Sequence, residues 1–80
     1  MEMNKVHEYI LGLLKNKGDN TPIADKDKLI SAGRLDSVDV MDIVVFLEDS
    51  YGLDFSVRGI DIDDFDSLDS ITKMIGEMKS

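Results

Sequence analysis

Eighty residues make one small domain, 1–80, of which 42% are apolar and 32% charged, an ordinary balance for a globular chain. The absence of cysteine excludes disulfides, thiolate zinc sites and cysteine nucleophiles, and one histidine, His7, leaves little for a metal site or a catalytic triad. The longest apolar run, Ile43 to Leu47, is five residues, against roughly 20 for a membrane span. The N-terminus, Met1-Glu2-Met3-Asn4-Lys5, lacks the layout of a secretory leader. A cytoplasmic protein is the expectation.

Seventeen acidic against nine basic residues give a net charge of −8, which argues against nucleic acid as a partner. The excess is not spread evenly. From Asp36 to Asp69 there are eleven acidic residues and one basic residue, Arg58, while the remainder nets +2. Such a stretch solubilises the surface, and it also steers basic partners toward it.

In chain order, Val6, Ile10, Leu13 and Leu14 form the apolar stripe of a first helix. Gly18 stops it, with Lys15 and Lys17 complementing the helix dipole. Residues 18–36 form a long connection rich in turn-formers, with the only proline, Pro22. Ile23, Leu29 and Ile30 would pack this loop onto the helices, and a helical turn is expected around Asp25 to Ile30. The second helix is expected from Ser37 to Tyr51, ending at Gly52. Val40, Ile43, Val44 and Leu47 supply its buried face, which Met41, Val45 and Phe46 widen. A short third piece is expected near Val57 to Asp64, interrupted by Gly59. Leu68, Ile71, Met74, Ile75 and Met78 mark a final helix. The fold class is all-α: a small four-helix bundle of three longer helices and a short one, with a long first loop.

The start of the second helix carries the most information. With Asp36 as N-cap, Asp39 falls at N3 and gives an acidic form of the reciprocal capping box. Leu35 and Val40 then occupy the two positions of the hydrophobic staple. Both signals choose the same register, which puts Ser37 at N1. First-turn amides lack intrahelical acceptors, so a phosphate esterified to the Ser37 hydroxyl would meet favourable polarity. Asp36 and Asp39 oppose it by like charge, so the tip is no general phosphate trap. Spacing alone favours a plain helix-start serine over a modified one.

The segment Gly33-Arg34-Leu35-Asp36-Ser37-Val38-Asp39, with Glu48-Asp49-Ser50-Tyr51-Gly52-Leu53-Asp54-Phe55 one helix later, resembles the acyl carrier protein family. The resemblance covers nearly the whole chain. It implies that Ser37 carries 4′-phosphopantetheine, transferred from coenzyme A by a phosphopantetheinyl transferase, with Asp36 as the flanking aspartate. The cargo would then ride as a thioester on the arm, in fatty-acid, lipid or polyketide-type biosynthesis. The resemblance places Val38, Asp39, Asp42, Val45, Glu48 and Asp49 on a surface that meets acyl-loading and acyl-transferring enzymes through their basic docking patches. It also implies a free-standing monomer without catalysis of its own. Val38 stands where the family most often has leucine, and Val45 where methionine is common. Leu35 before Asp-Ser resembles D-alanyl and other aminoacyl carriers, whereas Phe55 and Asp61-Ile62-Asp63 fit the acyl carriers. In a Met-containing, compliant core an acyl chain could slip between helices, and a plain small core explains the same residues equally well.

Other classes compete with this one. A hand-shaped calcium loop begun at Asp61 places Asp63 at position 3 but Phe65 at 5, Asp66 at 6 and Thr72 at 12, and so fails. Begun at Asp25, it fails at Leu29 and Ile30. Loose divalent-cation binding near Asp36, Asp39 and Asp42 stays open. A serine hydrolase would need a base, and His7 lies on the first helix. An unmodified acidic helical adaptor shares every feature except the meaning of Ser37.

Overall fold

The computed structural model describes residues 4–79; residues 1–3, part of the N-terminus weighed above as a leader, lie outside that range. Its helices are α1 (Asn4–Asn16), α2 (Ser37–Tyr51), α3 (Phe55–Arg58) and α4 (Leu68–Lys79), with a 3₁₀ turn at Ile62–Phe65. Among the described residues there is no strand, and none of their helices is long and apolar enough to cross a membrane.

Helix α1 buries Val6, Ile10 and Leu14, the i, i+4, i+8 members of its stripe. Gly18 ends it at φ +85°, and the Asp19 amide reaches back to the Leu14 carbonyl at 2.9 Å. Lys17 falls just beyond the helix end.

The long loop is held by specific bonds. It does not form the helical turn expected around Asp25 to Ile30. The Asp27 carboxylate accepts from the Ala24 amide at 2.8 Å, which closes a local turn instead. Amides of the next residues are then taken by the far side of the fold: Leu29 donates to the Asp66 carbonyl at 2.6 Å, and Ile30 to Asp66 Oδ1 at 2.8 Å. An amide committed to a tertiary acceptor cannot build a helix ladder. Ile23, Leu29 and Leu35 are buried in the core, so the loop packs as a layer of its own. At the loop's end, Arg34 donates through Nε to Asp19 Oδ2 at 2.9 Å and through Nη2 to the Thr21 carbonyl at 2.6 Å. That fork ties the entry and exit of the loop together.

The expected third piece splits in two around Gly59, which takes φ +83°. Each fragment has its own aspartate at the cap: Asp54 accepts from the Ser56 amide at 2.9 Å, and Asp61 from the Asp63 amide at 3.0 Å. The 3₁₀ turn packs against both α2 and α4, and α1 packs against α2. Phe65, fully buried, carries the turn into the core beside Phe55, their rings 6.1 Å apart. Helix α4 starts under the buried Ser67, whose Oγ accepts from the Ser70 amide at 3.1 Å, and it buries Leu68, Ile71, Met74 and Ile75.

Gly52 closes α2 at φ +66° and donates to the Glu48 carbonyl at 3.0 Å. Beyond its own chain neighbours, no atom lies within 4 Å of where a Cβ would stand, so the cost of Gly52→Ala is conformational alone. It should amount to about 1–2 kcal/mol. Urea unfolding should show a lower midpoint; an unchanged midpoint would refute that account of the turn.

Candidate functional site

The capping box at the head of α2 forms in full. Asp36 Oδ1 accepts from the Asp39 amide at 3.0 Å, and Asp39 Oδ2 accepts from the Asp36 amide at 3.1 Å. Asp36 is extended at φ −126°, ψ −176°, as an N-cap must be. Leu35 and Val40, the staple positions, are both buried. With the helix pinned in this register, Ser37 occupies the first helical position and is exposed. Among the described residues nothing shares a hydrogen bond with its hydroxyl, although carboxylates stand on either side of it in sequence.

Both carboxylates are occupied elsewhere. Lys17, at the end of α1, pairs with Asp39 Oδ2 and lies 3.5 Å from Asp36 Oδ2. Its ammonium also reaches the Arg34 carbonyl at 3.5 Å. The Asp39 amide, with help from Lys17, holds the Asp36 carboxyl below the ordinary aspartate range. Asp39, expected on the partner-facing surface, is turned inward with its side chain 9% exposed. At N3 the capping geometry folds the carboxylate back over the helix end, where the lysine meets it.

The other expected residues point outward. Val38 is 69% and Val45 54% exposed, and Asp36, Asp42 and Asp49 are exposed too. Glu48 is half-buried, and its carboxylate accepts from the Phe55 amide at 3.4 Å, so it also braces the turn into α3. Met41 and Val45 do not widen the buried face as expected. Met41 is 50% exposed, and at about 100° per residue it lines up with Val38 and Val45 on one outer stripe. Asp42 and Asp49 border that stripe on one side and Glu48 and Ser37 on the other. Phe46 is half-buried and stacks on Tyr9 at 4.2 Å, while the Tyr9 hydroxyl donates to the Asp42 carbonyl at 3.3 Å.

The apolar centre of the outer stripe, Met41 included, is hidden in the sequence because those residues also fit a broad core face. The signal available is width: counting Met41 and Val45 as core gives α2 apolar residues around most of its circumference. Lys17 is hidden because its partners lie 19 and 22 positions away.

Among the described residues no group of three or more histidine or acidic side chains could hold a metal ion. His7 is half-buried on α1, and a surface groove lined by Tyr51, Leu53, Val57, Arg58 and Met78 among others lies at the far end of α2, about 20 Å from Ser37 along the helix. No family model, curated protein or solved structure matches the chain.

Proposed function

We propose that this protein is an acyl carrier protein: a non-catalytic cytoplasmic monomer that holds acyl intermediates on 4′-phosphopantetheine attached to Ser37. What supports this reading is one observation above the rest, the exposed and unbonded Ser37 hydroxyl on the first turn of α2, beside an apolar stripe bordered by carboxylates. The residues fit the group. The hydroxyl is accessible to a transferase, the helix tip is positively polarised, and the Lys17 ammonium offsets part of the flanking negative charge.

When bound, the arm supplies the thiol that this cysteine-free chain lacks and holds the cargo as a thioester. The chain's own residues do the rest. The capping box and the staple fix where Ser37 stands. Val38, Met41 and Val45 offer an apolar footprint to an enzyme that carries a basic patch, and Asp42, Glu48 and Asp49 steer its approach, so docking should weaken with salt. Tethering keeps the cargo at a high effective concentration while an enzyme is docked. An aminoacyl cargo, the variant that Leu35 favours, uses the same site.

A second reading has its own support: the outer stripe of α2 would equally serve an acidic adaptor that is never modified. Intact-mass measurement after incubation with coenzyme A and a promiscuous phosphopantetheinyl transferase separates the two. A phosphopantetheine-sized gain that disappears in Ser37→Ala supports the carrier. No gain in the wild-type chain, or a gain that survives the substitution, overturns it.

A further inference from the structure

We infer that Lys17 is a positioning residue for modification of Ser37, an inference that rests on the carrier reading. The geometry that carries it is the three-way contact at the head of α2. Lys17 pairs with Asp39 and approaches Asp36 to 3.5 Å, so one ammonium engages both carboxylates that flank the serine. Each carboxylate also accepts a backbone amide of the capping box.

Two consequences follow for the hydroxyl. First, Asp36 and Asp39 have their lone pairs directed at amides and the ammonium, and Ser37 keeps its Oγ free. Without the lysine, Asp36 Oδ2 loses its cationic partner, and its charge, on a side chain 63% exposed, stands uncompensated beside the hydroxyl. Second, the transfer brings Ser37 Oγ to the phosphorus of a phosphoryl group whose oxygens carry negative charge. The new bond joins Oγ to the phosphorus attached to pantetheine. The pyrophosphate P–O bond on its far side breaks, adenosine 3′,5′-bisphosphate leaves with the bonding pair, and the hydroxyl proton passes to that leaving group or to solvent. Nothing is oxidised or reduced. Two uncompensated carboxylates beside Oγ would repel the anionic phosphoryl oxygens as the group closes, and one ammonium among them halves that charge.

The lysine is also well placed to hold the tip still. It sits where α1 ends, and its ammonium reaches the Arg34 carbonyl at 3.5 Å. Arg34 in turn grips Asp19 and the Thr21 carbonyl. The segment before Ser37 is therefore fixed to the end of α1 through two basic residues.

The test is steady-state modification of the full chain by a promiscuous transferase with coenzyme A, followed by intact mass, for wild type, Lys17→Met, Lys17→Arg and Lys73→Met. Each is assayed at a temperature where circular dichroism shows it folded. Lys17→Met should lower kcat roughly threefold to tenfold, the effect of one unit charge a few ångströms from the reacting atoms in a partly solvated site. Its KM for the carrier should not rise, because the variant is more acidic and docks at least as well. Lys17→Arg should keep the wild-type kcat, and so should Lys73→Met, which removes a positive charge from α4 instead. Wild-type kcat in Lys17→Met, a loss confined to KM, or failure of arginine to restore the rate would overturn the inference. No modification of the wild-type chain would instead remove the carrier reading beneath it.

Discussion

Replacing Phe65 with alanine is expected to cost about 3–5 kcal/mol, a large share of what holds the domain folded. The whole stability of an 80-residue domain is only about 4–12 kcal/mol, and Phe65 is the largest fully buried side chain. It projects from a 3₁₀ turn that contacts both α2 and α4, so its removal opens a cavity where three segments meet and none of them can close it alone. Within the turn Phe65 is the one buried side chain, because Ile62 is 43% exposed and Asp63 is exposed, while Asp64 is held at the surface by Arg58. Thermal unfolding should show a midpoint lowered by roughly 15 °C or more. Phe46→Ala is the control. That ring is half-buried and stacks on Tyr9 at the surface, and its loss should cost about 1–2 kcal/mol. If the two variants melt together, or Phe46→Ala is the worse, the core is not organised around Phe65.

Phe65 also marks where the sequence stops being legible. The long helices are readable because their information is local. The stripe Val6, Ile10, Leu14 repeats at helical spacing, Gly52 stands one residue past the end of α2, and Asp36 and Asp39 are three residues apart. The same local chemistry puts Ser37 at N1. The loop and the third segment resist because their determinants are distant. The backbone at Leu29 and Ile30 is committed to Asp66, more than thirty residues on, so their amides cannot bond back to carbonyls near Asp25 and the expected helical turn over Asp25 to Ile30 does not form. Met41 and Lys17 are ambiguous for the same reason at the site. An apolar residue on a helix can face the core or a partner, and a lysine near a helix end can serve the dipole or cross to a neighbour; only packing decides. What the residues cannot convey about the site is therefore its charge balance rather than its position.

That dependence on distant carboxylates makes a prediction about acid. Asp66 accepts from the Ser31 hydroxyl at 2.6 Å and from the Ser31 and Ile30 amides at 3.0 and 2.8 Å. Those bonds, the hydroxyl first, hold its carboxyl below the ordinary value. Asp19, held by Arg34 and the Thr21 amide, is lowered to about 2. A carboxyl whose folded pKa is depressed contributes stability that is complete above the unfolded value, near 3.8, and lost as pH falls through the folded one. The window is therefore below about pH 4. The direct curve will not isolate this effect, because protonating the carboxylates between Asp36 and Asp69 also relieves their mutual repulsion and favours folding. A difference does isolate it. Asp66→Asn should be about 1–2 kcal/mol less stable than wild type at neutral pH, the value of charge-assisted bonds discounted for partial exposure. The gap should narrow steadily from about pH 4 toward pH 2, since a protonated aspartate and an asparagine are nearly equivalent acceptors and the repulsion common to both chains cancels. Urea unfolding of both proteins across that range measures it. A gap of constant size from neutral pH to pH 2 would mean that the loop is held to the 3₁₀ turn by shape and not by the charge of Asp66.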